Sequence, residues 1–293
     1  MDVRGPASHE TRVELSGALI GITSCTNRVV GRASRLVGPQ SGTTAHQWLE
    51  GGNWSTGFSS TMQAISTTTD HGRAFAWVLR GKEDHGASFA ALCRAFVEVA
   101  GRAWWLLDSN DSAQLEHRAA AMRLNEVRQK GSSGLTVRVR DGEYETVSYD
   151  EVLLDAERAL SRASVAGRKE KTPGYTTLAC RVMSAAGIAD SDAKYSHLSA
   201  VSHGAGFSVG GLGARAPHEA DGFTHFTISL PIANAQQYLR IMTRVLNVVM
   251  EKFISLAGDH AEQARWRYAY VIAHNRIVNE FDALSGGSES PAG

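Results

Sequence analysis

The chain has 293 residues, of which 43% are hydrophobic and 20% charged, so it is long enough to bury a sizeable core. Thirty basic residues balance thirty acidic ones, which excludes steering of nucleic acid or acidic membranes by the field of the whole protein. The cysteines, Cys25, Cys93 and Cys180, lack C-x-x-C spacing and predict buried, reduced thiols. We see no signal peptide or membrane-spanning segment, and we therefore expect a cytoplasmic protein without a membrane partner.

Apolar residues at three- and four-residue spacing predict helices along most of the chain. The predicted helices cover residues 10–36, 61–79, 87–107, 111–130, 148–162, 173–187, 191–203, 233–256 and 261–283. A loop over residues 38–57 is rich in Gly, Ser and Thr, and we expect its Trp48 and Trp54 to fold back onto the core. The helix over residues 87–107 has the clearest apolar stripe of the chain.

A few segments depart from the helical pattern. Alternation over residues 135–148, around a central Asp-Gly pair, predicts a β-hairpin. Residues 223–230 alternate in part and predict a short strand. Residues 204–222 contain six glycines and predict a long loop, and the charge run at residues 167–173 predicts a solvated, mobile loop.

These patterns together predict an all-α fold, a helical bundle with a small β-hairpin insertion and one extra short strand. Because no linker divides the chain, we expect a single helical domain over residues 1–284, followed by a disordered tail at residues 285–293. The residues expected to be largely buried are Phe96, Ala100, Trp104, Val245 and Val249.

The sequence lacks several motifs that carry known chemistry. It contains no G-x-G-x-x-G after a strand, no G-x-x-x-x-G-K-[ST] phosphate loop and no H-E-x-x-H. The glycine-rich run at residues 204–213 has neither a preceding strand nor a lysine, so we do not expect it to bind phosphate. No histidine shows metal-ligand spacing, and we expect neither a metal nor a cofactor.

One candidate site follows from the spacing of three polar residues. Tyr195, Ser199 and His203 lie four residues apart and therefore share one face of a predicted helix. A phenol, a hydroxyl and an imidazole on one stripe can organise proton transfer, because histidine titrates near neutral pH. The structural alternative is that His203 caps the last carbonyls of its helix.

A second polar stripe lies on the helix over residues 87–107. Its members, at spacings of four, four and three, are Arg94, Glu98, Arg102 and Trp105. As a surface ladder, they would contribute a few tenths of a kcal/mol per ion pair. Because this helix is apolar nearly all round, the alternative is a buried polar site. Arg118 and Arg123 on the next helix add positive charge to either arrangement.

The two stripes are expected to meet. Polar groups buried without partners each lose about 1–3 kcal/mol, so the economical arrangement sets the stripes face to face. We therefore expect His203 to lie within about 10 Å of Arg94, across a helix–helix contact.

Residues 94–98, 104–108 and 195–203 resemble a group of bacterial helical proteins that is similar to the HEPN superfamily. The resemblance, which spans residues 87–206, implies a helical bundle, frequently dimeric, associated with nucleotide binding, RNA cleavage and phage defence. It also implies a polar site formed by one arginine and one histidine. In this sequence, His203 matches the histidine and Arg94, more loosely, matches the arginine. HEPN ribonucleases have both residues on one helix. Here the nearest arginine before His203 is Arg181, on the preceding helix, which makes a non-catalytic or small-molecule role more plausible.

Three functions are compatible with these patterns. The leading hypothesis is a HEPN-like protein that binds or acts on RNA or a nucleotide and forms a homodimer. The residues assigned to catalysis are His203, Arg94, Glu98 and Tyr195, and those assigned to substrate binding are Arg118, Arg123, Ser199 and Trp105. One alternative is a small-molecule enzyme of specialised metabolism, with a pocket lined by Trp48, Trp54, Trp104, Trp105 and Phe207. Another is a non-catalytic, dimerising interaction protein.

Overall fold

The structure is a computed structural model that describes residues 8–35, 44, 46–47, 55–82, 85–130, 136–140, 143–163, 170–205, 218–220, 223–225, 230–257 and 260–285. Its helices are α1 (His9–Arg35), α2 (Ser55–Arg80), α3 (Gly86–Leu107), α4 (Ser112–Lys130), α5 (Tyr149–Ala163), α6 (Tyr175–Ala185), α7 (Ser191–Ser202), α8 (Ile232–Ala257) and α9 (His260–Ser285). The strands are β1 (Thr136–Arg140), β2 (Glu143–Val147), β3 (His218–Ala220) and β4 (Phe223–His225). Helix predominates, which confirms the predicted all-α bundle.

The predicted helix ends agree with the structure to within two residues, except at the start of α2. The predicted loop over residues 38–57 was wrong at its end, because α2 already begins at Ser55. The Gly57 amide in the first turn donates a 2.6 Å hydrogen bond to Oε1 of Glu116, on α4. A tertiary contact thus satisfies an amide in the first turn of this helix. Trp48 and Trp54 lie outside the described residues.

The strand predictions need one correction. The hairpin expected at residues 135–148 is present as β1 and β2, which pair from Thr136↔Val147 to Arg140↔Glu143. The extra strand is present as β4, but its partner β3 lies inside the segment that we predicted to be loop only. Residues 206–217 of that segment, Phe207 among them, lie outside the described residues, as do residues 164–169 and 286–293.

Several helix ends follow from local signals. Asp111 accepts a 2.8 Å hydrogen bond from the Gln114 amide at the start of α4, as its position predicts. Ser148 and Glu151 form a reciprocal capping box at the start of α5. At the end of α7, Gly204 has a φ of +70°, and the Ala205 amide reaches back to the carbonyl of Ala200 at 3.0 Å. Glycine suits this position because other residues rarely adopt a positive φ.

Helix α3 lies at the centre of the bundle and packs against α2, α4, α6, α7 and α8. Of the five predicted core residues, four are fully buried: Phe96, Ala100, Val245 and Val249. Trp104 is less deeply buried than the other four. Its ring is only partly buried, and the Lys252 ammonium lies 4.8 Å from its centroid, whereas Trp105 is 2% exposed. Cys25 and Cys93 are buried free thiols, as predicted, and Cys180 is a half-buried one.

A buried carboxylate attaches the last helix to the first. Glu262 on α9 is 1% exposed, and its Oε1 lies 3.1 Å from Nη1 of Arg32 on α1 and 2.7 Å from Nη1 of Arg265. Arg28 on α1 adds a contact of 3.6 Å to Oε2. Guanidinium groups offset the loss of hydration of this carboxylate, so the contact fixes how α9 docks. No helix within the described ranges is long and apolar enough to cross a membrane.

Helices α3 and α6 approach each other at Gly101. A Cβ atom built on Gly101 would lie 2.6 Å from both the carbonyl carbon and the carbonyl oxygen of Leu178. Because the neighbouring atoms belong to the backbone, they cannot rotate away as a side chain would. Glycine at this position therefore sets the distance between the two helices.

We predict opposite effects for two Gly→Ala substitutions in helix interiors. Gly101→Ala should lower the free energy of unfolding by about 1–3 kcal/mol, because the methyl group meets the α6 backbone. Gly21→Ala on α1 is the matched control, since no atom lies within 4 Å of its built Cβ. It should raise the free energy of unfolding by about 0.5–1 kcal/mol through helix propensity alone. Urea denaturation of both variants checks this, and equal effects would contradict the close approach.

Phe96→Ala should lower the free energy of unfolding by about 3–5 kcal/mol, because the ring is fully buried among α3's neighbours. The control is Leu154→Ala on α5, whose side chain is 46% exposed and whose removal should change stability by less than about 1 kcal/mol. Chemical denaturation measures both. A loss below about 1 kcal/mol for Phe96→Ala would mean that the core does not depend on this ring.

Candidate functional site

The two predicted stripes meet where α7 packs on α3. Nη1 of Arg94 lies 2.8 Å from Nε2 of His203, the residue that ends α7. Nε of Arg94 donates a 2.8 Å hydrogen bond to Oε1 of Glu98, and the Tyr195 hydroxyl donates one of 2.7 Å to the same oxygen. We call Arg94, Glu98, Tyr195 and His203 the α3/α7 cluster. The predicted proximity of His203 and Arg94 is confirmed.

The cluster runs from the protein interior to its surface. Tyr195 is 5% exposed, the side chains of Arg94 and Glu98 are 25% and 21% exposed, and His203 is exposed. Burial lowers the pKa of Arg94, but hydrogen bonds to Glu98 and Tyr195 outweigh it, so the pKa is raised. Burial raises the pKa of Tyr195, and its bond to Glu98 adds to the effect. The guanidinium therefore remains charged and the phenol remains protonated.

The contact with Arg94 also fixes the state of the His203 ring. A guanidinium has only hydrogen-bond donors, so Nε2 of His203 must accept, and the imidazole carries its proton on Nδ1. The backbone amide of His203 donates to the carbonyl of Ser199 at 3.1 Å, as a helix end requires. The ring is thus directed at α3, whereas the predicted capping alternative would have directed it at the carbonyls of α7.

Two further hydroxyls belong to the neighbourhood of the cluster. Ser199 is half-buried and lies one turn from both Tyr195 and His203 on α7, as its spacing predicts. Thr176, at the start of α6, donates a hydrogen bond of 3.4 Å to the Tyr195 hydroxyl. Thr176 was missed, because nothing in a run of two threonines after a proline indicates that this helix end reaches Tyr195.

Arg118 and Trp105 lie elsewhere. The Arg118 guanidinium donates to both carboxylate oxygens of Glu170, at 2.8 and 2.9 Å, and to the carbonyl of Trp105 at 2.6 Å. It also lies 4.9 Å from the centroid of the Trp105 ring. Trp105 is eleven residues from Arg94, or about 16 Å along α3. The Arg118 hydrogen bonds lower the pKa of Glu170 and attach residue 170 to α4, which suggests a structural role for Arg118.

Arg123 does not reach the cluster either. With Arg102, it lines an open cavity of about 270 Å³ between α2, α3 and α4. A second cavity, of about 360 Å³, lies between α1 and α2 and is lined in part by Asn27 and Met62. Neither of these cavities is lined by Trp104 or Trp105, in contrast to the aromatic pocket that the small-molecule alternative predicts.

In the part of the chain that the structure describes, no group of three His, Cys, Asp or Glu side chains is placed to hold a metal ion. Comparison of the chain with family models, with curated proteins and with solved structures found no match. What the α3/α7 cluster does must therefore be inferred from its own chemistry: a charged guanidinium, a neutral imidazole at the surface, and a carboxylate that holds the guanidinium in place.

The other histidine of this segment has a different environment. His197 lies on α7 with its Nε2 at 3.1 Å from the Tyr238 hydroxyl of α8. Burial lowers its pKa. Above the unfolded pKa of about 6.5, the imidazole is neutral in both the folded and the unfolded chain, so it does not make the free energy of unfolding depend on pH. Below it, the unfolded chain binds a proton that the folded chain takes up only at lower pH, so stability falls as pH falls.

We expect His197→Gln to reduce this dependence on pH. From about pH 7 downward, through the interval between the unfolded and the lowered folded pKa, the wild type should lose stability more steeply than the variant. Burial also lowers the pKa of His274. Because His274 is present in both proteins, it contributes the same dependence of stability on pH to each, and this contribution cancels in the comparison. Urea denaturation at half-unit steps between pH 7.5 and about pH 5 measures the difference. Parallel curves would show that burial of His197 does not disfavour its protonated form.

Proposed function

We propose that the α3/α7 cluster binds a phosphate group of RNA or of a nucleotide, and that His203 transfers a proton there. The observation that carries the proposal is the 2.8 Å contact between Nη1 of Arg94 and Nε2 of His203 at the surface. Arginine binds phosphate oxygens with paired N–H donors, and a neutral imidazole is the usual proton acceptor near neutral pH. The two groups lie within reach of one phosphodiester.

Glu98 supports this role by holding Arg94. Its carboxylate accepts the Nε donor of Arg94, and the Tyr195 hydroxyl orients that carboxylate from α7. A guanidinium has five N–H donors, and these contacts do not exhaust them. Arg94 is therefore pre-oriented, which reduces the entropy that binding an anion would otherwise cost.

Binding of a phosphate would change the partner of His203. Without a ligand, Nε2 of His203 accepts from Arg94. A phosphate oxygen that takes the Arg94 donor would release the lone pair of Nε2. His203 could then accept the proton of an attacking hydroxyl, such as the 2′-hydroxyl of RNA, while water protonates the leaving oxygen. The open position of His203 favours a chain ligand such as RNA over an enclosed small molecule. A homodimer, as the HEPN-like resemblance implies, is part of this proposal.

The same contacts also support a second candidate, a purely structural role in a non-catalytic interaction protein. Arg94, Glu98, Tyr195 and His203 each have a hydrogen-bonding partner within the cluster. A fully paired set of polar groups is what a structural network requires. The two candidates differ in what loss of His203 would do to stability and to binding.

The test uses a fluorescently labelled single-stranded RNA, with anisotropy to measure binding and gel electrophoresis to measure cleavage. Arg94→Gln should weaken binding by about 10- to 100-fold, because a charge-assisted contact contributes about 1.5–3 kcal/mol. His203→Ala should abolish cleavage and leave binding within about tenfold of the wild type. The matched control is Arg267→Gln, which removes an arginine from an exposed pair with Glu251 and should change neither.

Cooperative unfolding of the same variants separates the two candidates. If the cluster binds RNA, His203→Ala should keep the far-ultraviolet spectrum and the unfolding midpoint of the wild type. A large loss of stability with unchanged RNA binding would assign the cluster to structure. Equal weakening by Arg94→Gln and Arg267→Gln would mean that RNA is held by general charge and that the cluster is not the site.

A further inference from the structure

A second polar site lies along α3 at Arg102, about two turns from Arg94 and about one turn from Glu98. The cavity of about 270 Å³ between α2, α3 and α4 has Arg102 and Arg123 on its wall. Arg102 is eight residues from Arg94, or about 12 Å along the helix axis. The cavity is therefore a separate site, and its occupancy does not depend on the function proposed for the α3/α7 cluster.

The cavity carries an excess of one positive charge. Arg102 pairs with Glu126 of α4, which also lines the cavity. Arg123 is exposed and has no ion pair with any residue that the structure describes. Two guanidinium groups against one carboxylate leave a net charge of about +1 for a ligand to neutralise.

The loss of hydration of the Arg102 guanidinium is only partly offset by its contacts within the protein. Its Nε is buried and has no hydrogen-bond partner among the described residues. Burial lowers the pKa of this guanidinium, with only a partial offset from Tyr175. An anion placed beside Arg102 and Arg123 would offset the loss of hydration, as a second carboxylate would.

Part of the cavity lining is apolar. Val99 and Leu106 of α3 and Met122 of α4 line it together with the charged groups. Small-molecule sites combine such a wall with a few polar groups that fix orientation. The volume is slightly below that of sites for drug-sized ligands, which begin at about 300 Å³, so it suits one ring or a short chain.

We propose that this cavity binds a small organic anion, with its carboxylate or phosphate head on Arg123 and Arg102 and its apolar body on Val99, Leu106 and Met122. The shared chemistry is a single anionic head on a short apolar body. The two sources of such a head, a carboxylic acid and a phosphate monoester, are distinguished by the probes below.

The experiment is isothermal titration calorimetry of the full chain with four probes. Hexanoate and hexyl phosphate carry the two anionic heads on similar chains, 1-hexanol is the neutral match, and hexylammonium is the cationic match. At least one anion should bind about tenfold or more tightly than both matches. The anion that binds more tightly identifies the head group. In NMR spectra of the protein with methyl-labelled methionines, the Met122 signal should shift during the titration. The Met122→Leu variant assigns that signal.

Arg123→Gln should weaken anion binding by about tenfold, and it should leave folding intact because the side chain is exposed. The matched control is Arg276→Gln, an exposed arginine of α9, which should bind as the wild type does. Three results would overturn the proposal: no binding of either anion, equal binding of 1-hexanol, or equal weakening by the two variants. A shift confined to methionines other than Met122 would place the ligand elsewhere and overturn it too.

Discussion

The burial of charge on a central helix is the constraint on which the structure depends. Helix α3 contacts five other helices, yet its sequence places Arg94, Glu98 and Arg102 on one stripe. Charged groups removed from water need partners, and two neighbours of α3 supply them. Helix α7 brings Tyr195 to Glu98, and α4 brings Glu126 to Arg102. The hydrogen bonds of the α3/α7 cluster and the pair of Arg102 with Glu126 both meet this requirement.

The sequence was sufficient to predict features that depend on local spacing. Helix positions followed from apolar periodicity, and the meeting of His203 with Arg94 followed from the cost of leaving two polar stripes unpaired. The choice between Trp104 and Trp105 could not be predicted, because adjacent residues differ by about 100° around a helix. With neighbours on nearly every side of α3, periodicity alone does not show which ring faces a core and which reaches Lys252.

Contacts between segments that are distant in the chain could not be predicted from the sequence. The run at residues 167–173 predicts a solvated, mobile loop, yet Glu170 pairs with Arg118 and thereby removes that arginine from the predicted site. Glu116 satisfies the start of α2, and Glu262 fixes α9 on α1. In each case, a carboxylate meets a donor more than fifty residues away, and no pattern of spacing encodes such a pairing.

The backbone contact between Gly101 and Leu178 has a consequence for how the two sites vary together. Helix α6 begins with Tyr175, whose ring lies 5.9 Å from the Arg102 guanidinium, and Thr176, which bonds to Tyr195. The same short helix therefore contacts both Arg102, which lines the cavity, and Tyr195 of the cluster, and Gly101 sets how closely this helix approaches α3. A displacement of α6 would therefore move Tyr175 and Thr176 together. The surroundings of Arg102 and of Tyr195 thus both depend on a single residue that has no side chain.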